Sequence, residues 1–399
     1  MLAVEEALQI VLRHCRPLVA ATTSLAPAAL GRVLAEDVTS DIDMPPFDKA
    51  LMDGYAVRAS GLTGDRTVLP VVAEVTAGQT APPLPPGAAI RIMTGAPIPP
   101  GADAVARAEQ TSMLPDGKVQ IDPPFPIVGQ FILQRGREMK TGDVVLKAGS
   151  IIRPQEFGLL ASVGRSAVRA IPAPSISILA TGDELVEAEI TPGPNQLRNS
   201  NGPMLMAQAA RAGAVPRYLG IAPDRLNVLR SGVEKGLESH ILALSGGVSM
   251  GKLDLVPGVL QELGVRSHFQ QIAMKPGKPL FFGTRGETLI FGLPGNPVSS
   301  FCCLELFVRP AIRALSGRTN PGSNWQQARL KEEFRYRTDR PTYHPARLDN
   351  VEGTNQVQPV EWFGSPDLRA VAQANALLLL PPGDQIHSAG KLLPVLQLE

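Results

Sequence analysis

From Ser175 to Leu315 short apolar runs alternate with amphipathic ones, and this alternation limits the possible folds more than any other feature of the chain. Ser175–Ala180, Tyr218–Ile221 and Ile241–Leu244 read as strands. Between them, Asn201 is placed to cap a helix reaching Ala212, with Gly213 as its stop, and Asp224 to cap another reaching about Ser239. Leu255, Val256, Val259, Leu260 and Leu263 mark a third helix. A strand near 268–274, a hairpin-like pair at 279–293 and a helix from Pro297 to Leu315 follow. Such alternation predicts a mostly parallel sheet covered by helices on both faces. Ligands of these sheets sit beyond the carboxyl ends of the strands.

Three loops leaving those ends carry candidate chemistry. Ser245-Gly-Gly-Val-Ser-Met-Gly251 joins a strand to a helix, and its glycines let backbone N–H groups approach an anion. Plain packing is an equal reading of this turn. Lys275-Pro-Gly-Lys278-Pro holds two lysines in a stiff loop, suited to an oxyanion of more than one charge or simply solvated. Gly292-Leu-Pro-Gly-Asn-Pro297 precedes a helix, with Asn296 available as its cap. Glu184, Asp224 and Asp254 leave strand ends, and carboxylates beside phosphate call for a divalent cation, usually Mg²⁺. Each also has a local role open to it, as a helix cap or as a complement to a helix dipole.

Elsewhere the texture differs. Leu2, Val4, Leu8, Val11 and Leu12 share one helical face. From about 40 to 150, proline and glycine punctuate short β-branched runs such as Val68–Val75 and Ala88–Met93, which predicts a β-rich domain. Residues 152–164 read as a helix, 317–323 as a linker, and the rest as a small β domain. The 38 basic and 37 acidic residues form no run of like charge, and aromatics are 5% of the chain, so neither a phosphate-backbone footprint nor a base-stacking surface is present. No nucleic-acid partner is expected. No stretch approaches the roughly 20 apolar residues of a membrane helix, and the amino terminus lacks a basic signal region. The three cysteines, Cys15, Cys302 and Cys303, have no metal-ligand spacing and fit a reducing cytoplasm. The five histidines are scattered, and no Ser-His-Asp order stands out.

Taken in order, Met52-Asp-Gly-Tyr-Ala-Val57, Ile92-Met-Thr-Gly-Ala-Pro97, Thr181-Gly-Asp-Glu-Leu185, Ser245–Gly251, Lys275–Pro279 and Gly292–Ser299 resemble the MoeA family of molybdopterin molybdenumtransferases. The chain is similar over nearly its whole length, and also to the E domain of gephyrin and of its plant counterpart. The resemblance implies a multidomain α/β plus β fold with four parts. Residues 1–21 and 168–316 would form a MogA-like α/β domain, and 22–46 with 135–167 an elongated linking domain. Residues 47–134 would form the β-rich domain, and 317–399 a C-terminal β-barrel. It implies a cytoplasmic homodimer in which Asp53 of one subunit faces the α/β site of the other.

The implied reaction inserts molybdate into adenylylated molybdopterin, releasing AMP, with Mg²⁺ as cofactor. Transient contact with the molybdopterin adenylyltransferase and with apo-molybdoenzymes is implied, and no membrane. The resemblance assigns catalysis to Asp53, Thr94, Glu138, Glu184, Asp224 and Asp254, the metal to Glu184, Asp224 and Asp254, and the substrate phosphate to Ser245, Gly246, Gly247, Ser249 and Gly251. Lys275, Lys278, Pro294, Gly295, Asn296, Pro297 and Ser299 would bind substrate, with Arg347 and Ser365 near molybdate. The chain departs from the family pattern at Lys49-Ala50-Leu51, at Glu138 and His240 where aspartates are usual, and around Arg340–Arg347. A tungstate-inserting paralogue and a non-catalytic gephyrin-like scaffold are the rival readings. The scaffold predicts broken carboxylates and a long linker, neither of which the chain has.

Overall fold

A computed structural model describes residues 1–247 and 255–398. The chain divides into two compact units, Met1–Thr23 with Ala29–Ala35 and Arg169–Glu399, and Ser24–Ala28 with Glu36–Val168.

The first unit contains α1 (Val4–Arg13), β1 (Ser175–Thr181), α2 (Asn201–Arg211), β2 (Val215–Ala222), α3 (Leu226–Gly236), β3 (Ile241–Ser245) and α4 (Val256–Glu262). Then come β4 (Arg266–Phe269), β5 (Phe281–Arg285), β6 (Thr288–Leu293), α5 (Pro297–Cys303) and α6 (Arg309–Leu315). The sheet order is β2-β1-β3-β6-β5-β4. The first four strands are parallel, as the alternation predicts, and β5 and β4 form an antiparallel edge. Successive side chains of a strand point to opposite faces, so the apolar runs of β1 and β3 feed two cores. Ile176, Ile178, Ala243 and Phe291 pack with α1, α2, α5 and α6. Leu179, Leu242, Leu244 and Ile290 pack with α3 and α4. On α1 the buried face is Val4, Ala7 and Val11.

Two elements differ from the sequence reading. The strand expected near 268–274 stops at Phe269. Beyond it Ile272 N–H bonds to Lys278 O and Ala273 N–H to Leu2 O, so the apolar residues are buried in a loop rather than on a ladder. The helix expected from Pro297 to Leu315 is continuous but winds as a π segment over Leu304–Val308.

The carboxyl-terminal strands β7 (Trp325–Leu330), β8 (Thr342–Val351), β9 (Thr354–Pro359), β10 (Ala376–Leu380) and β11 (Leu392–Gln397) close into a five-stranded barrel, in the order β7-β9-β8-β10-β11. Leu330, Ala346, Val357, Leu378 and Val395 fill it.

The second unit is built on a six-stranded sheet from Gly54–Val57, Thr67–Val75, Ala89–Ile92, Ala104–Arg107, Thr111–Met113 and Lys118–Ile121. Ala56, Ile90, Ile92 and Val105 anchor one of its cores and Val57, Ala104, Val119 and Ile121 the other. Among the described residues, no helix is long and apolar enough to cross a membrane.

Candidate active site

The register of the parallel strands brings the first loops together. Ala180 on β1 pairs with Ser245 on β3, so Thr181-Gly182 and Gly246-Gly247 leave the sheet side by side. Gly246 N–H donates to Leu293 O at 3.1 Å, which ties the turn to β6. Both glycines have left-handed backbone, with φ of 95° and 64°. A Cβ on Gly246 would lie 2.5 Å from Thr181 O, and one on Gly247 2.8 Å from Thr181 Oγ1. Only glycine permits this approach. Ser249, Gly251 and Asp254 lie outside the described residues.

Beyond these strand ends is a cavity of about 350 Å³, whose walls include Thr181, Glu184, Asp224, Gly246, Gly247 and Asn296. Asp224 was expected to cap a helix. Instead α3 begins at Leu226 with Arg225 in the cap position and no side-chain cap, while the Asp224 N–H bonds to Asp183 Oδ1 at 3.0 Å. Asp224 thus stands on the cavity wall with Glu184. Among the described residues, no group of three His, Cys, Asp or Glu side chains could hold a metal. Two carboxylates beside a glycine turn offer oxygen ligands only, which suits a hard cation that keeps several waters.

A second cavity, of about 310 Å³, is lined by Lys275, Lys278, Arg340, Ser299, Ser365 and Trp362, among others. Among the described residues it carries three cationic side chains and no carboxylate. Backbone pairing fixes Lys275 against the barrel, since its N–H donates to Pro341 O at 2.9 Å and its carbonyl accepts from Tyr343 N–H at 2.8 Å. Its Nζ lies 5.5 Å from the Tyr336 ring centroid, a cation–π contact. Gly277, at φ 108°, packs so close to Cys303 that a Cβ would fall 2.7 Å from Sγ. Asn296 occupies the cap position of α5 without capping it, and Nδ2 instead donates to Ser365 Oγ at 2.9 Å. Pro279, Pro294 and Asn296 line both cavities, so the two share a wall. Pro297 opens α5 and Ser299 lies in its first turn, only 4% exposed. Another cavity, of about 610 Å³ and bordered by Arg13, Arg16 and His240, lies at the amino ends of the strands and holds none of the expected site residues.

The sequence reading missed Arg340 and Trp362. It pointed to Arg347, which is exposed on β8 opposite Gln358 and is not among the residues lining the cavity. Arg340 precedes β8 beside the Pro341–Lys275 pairing, and its Nε is 3.1 Å from Asp339 Oδ2. The signal for Arg340 was the departure from the family pattern in that stretch, but its register against Lys275 is a tertiary fact.

In the second unit Asp53 and Thr94 meet. The Thr94 N–H and Oγ1–H both donate to Asp53 Oδ1 at 2.7 Å. The hydroxyl bond and then the amide bond hold the Asp53 carboxyl below its ordinary range, with Arg91 adding to the effect. Glu138 and Lys49, both departures from the family pattern, stand 4.0 Å apart as an ion pair, Glu138 exposed and Lys49 half-buried.

Three family models match the chain: the MoeA N-terminal region (domain I and II) at residues 2–164, a probable molybdopterin binding domain at 177–314, and the MoeA C-terminal region (domain IV) at 327–398. The molybdopterin molybdenumtransferase of Staphylococcus aureus (strain Mu50) is 34% identical over 405 residues, covering 99% of this chain and 95% of that relative. That of Bacillus subtilis (strain 168) is 35% identical over 377 residues, covering 92% of this chain and 87% of the relative. The crystal structure of the molybdopterin biosynthesis MoeA protein from Pyrococcus horikoshii OT3 superposes with a TM-score of 0.82 at 29% identity over the full length of both chains.

Proposed function

The chain belongs to the MoeA family, and from that premise we propose that it inserts molybdate into adenylylated molybdopterin and releases AMP, with Mg²⁺ as cofactor. It is an enzyme of molybdenum cofactor biosynthesis of the molybdopterin molybdenumtransferase kind. The observation that carries the finer reading is the pair of cavities sharing Pro279, Pro294 and Asn296. One is cationic and the other combines a glycine turn with two carboxylates.

In this reading Lys275, Lys278 and Arg340 offset the double charge of tetrahedral molybdate, and the Ser299 and Ser365 hydroxyls orient it. The turn at Gly246-Gly247 receives the pterin's phosphate on backbone N–H groups. Glu184 and Asp224 would hold Mg²⁺, which supplies charge neutralisation at the phosphate. The shared wall keeps the two reactants adjacent, so most of the catalysis is positioning and electrostatics. The dithiolene that takes the metal belongs to the substrate. Cys302 and Cys303 are fully buried, and burial pushes both thiols well up. A homodimer belongs to the same proposal and is tested by the mass of the protein in solution.

The test is incubation with adenylyl-molybdopterin, molybdate and Mg²⁺, scoring AMP release and transfer to an apo-molybdoenzyme. AMP release no greater than in a protein-free control removes the reading. Competition by tungstate in the same assay separates it from a tungstate-inserting paralogue.

A further inference from the structure

Asn201 was expected only to cap a helix, but it is the first residue of α2, with Ser200 in the cap position, and its side chain is turned inward. It is 8% exposed, and Nδ2 donates to Ser245 Oγ and to Gly295 O, both at 2.8 Å. A primary amide carries two N–H donors, so both are committed. The orientation is fixed by chemistry: the flipped amide would set Oδ1 against the Gly295 carbonyl, and two acceptors cannot bond. Oδ1 itself is buried without a hydrogen-bond partner among the described residues. A buried acceptor left alone carries a cost, and this rotamer bears it while making both donor bonds.

The two acceptors lie at the points that matter for the site. Ser245 ends β3 where the glycine turn begins, and Gly295 sits on the wall of the Glu184–Asp224 cavity, next to the shared residues Pro294 and Asn296. Because the peptide is planar, holding the Gly295 carbonyl fixes the plane that also carries the Asn296 N–H. Accepting from Asn201 likewise turns the Ser245 hydroxyl proton away from the amide. We propose that Asn201 is a positioning residue that sets the Gly295–Asn296 peptide and the Ser245 hydroxyl for the phosphate-bearing substrate. This rests on the function proposed above.

Asn201→Asp is the direct test. It keeps the size, and a carboxylate suits the start of a helix, but it offers Gly295 O no donor. The unpaired buried carboxylate is expected to lower the melting temperature, so the deciding readout is KM for adenylyl-molybdopterin in the folded protein, raised about tenfold or more with kcat per active molecule lowered less. Asn201→Ser, which retains one donor and also suits a helix start, is expected to recover part of the KM loss. A merely structural role predicts a lower melting temperature and fewer active molecules at unchanged KM. Unchanged KM in both variants, with an active wild type, overturns the role of Asn201 alone. A wild type that releases no AMP overturns the underlying function instead.

Discussion

Asn296 Nδ2 donates to Ser365 Oγ at 2.9 Å, joining the loop at the end of β6 to the segment between β9 and β10 of the barrel. The bond is reinforced in parallel, because Val298 N–H donates to the Ser365 carbonyl at 3.0 Å. One serine therefore holds the barrel against the first turn of α5 through its main chain and side chain together. Asn296 and Ser365 both line the cationic cavity, so the seam forms part of its wall.

Replacing Ser365 with alanine removes one neutral hydrogen bond and one hydroxyl from the cavity wall. The Val298 bond remains, so the fold is expected to persist. Molybdate affinity is expected to fall about fivefold to tenfold, measured by calorimetry at fixed ionic strength.

Lys275→Gln and Lys278→Gln each remove a charge from a cavity that has no carboxylate on its wall among the described residues. Each is expected to weaken molybdate binding by about tenfold to a hundredfold. The dependence of binding on salt should become shallower, since fewer charges face the dianion. Binding that is insensitive to both substitutions would move the oxyanion out of this cavity.

Gly246→Ala places a Cβ 2.5 Å from Thr181 O at a φ of 95°. Strained backbone and the displaced carbonyl together are expected to cost about 2–4 kcal/mol. Thermal unfolding reads that loss, and AMP release should fall with it because the turn itself is displaced.

His344 gives a stability signature. It is 3% exposed, and burial pushes it down to about 4, its Nδ1–H bond to Pro345 O opposing the shift and the charge of Lys275 adding to it. In the unfolded chain a histidine protonates near its ordinary value of about 6.5. The unfolded state therefore binds more protons between these values, and stability present above pH ~6.5 is lost as pH falls toward ~4. The loss is expected to reach up to about 3 kcal/mol, and His344→Gln should flatten that part of the melting-temperature profile.

Thr94→Val removes the hydroxyl that contributes most to holding the Asp53 carboxyl low, leaving the Thr94 backbone amide in place. The Asp53 titration is expected to move upward, followed by carboxyl NMR. If Asp53 acts as its carboxylate, the acid limb of the activity profile moves upward with it, while activity near pH ~8 falls only modestly.

Much of this architecture is legible in the residues. The run at 241–244 is apolar throughout, and Ile176, Ile178, Leu179 and Ala180 supply apolar residues to both sides of their strand, as burial on both faces requires. The glycine turn, Lys275–Pro279 and Gly292–Pro297 stand where strands end, so chain order alone sets them at one edge of the sheet. The sequence is less informative where one residue type serves two ends. Asn201 and Asp224 have the composition of helix caps, and nothing local distinguishes a cap from a side chain bonded to the site's loops, as Asn201 is, or from a residue on a cavity wall, as Asp224 is. Residues 272–274 are apolar like a strand, but Ile272 N–H bonds within the loop to Lys278 O and Ala273 N–H bonds to Leu2 O, a partner that no local window contains.

The amino-acid order by itself determined the parallel α/β unit, the β-rich region, a small β domain at the carboxyl end and the loops that carry the chemistry, because periodicity and turn residues are local properties, whereas the barrel was only what the resemblance implied. Tertiary structure decided which side chains share a cavity. Arg340 rather than Arg347 faces Lys275 and Lys278, because Lys275 pairs through its backbone with Pro341 and Tyr343 across more than sixty positions of chain. That register is set by closure of the barrel and by its seam with α5, which are collective packing outcomes that no single segment encodes.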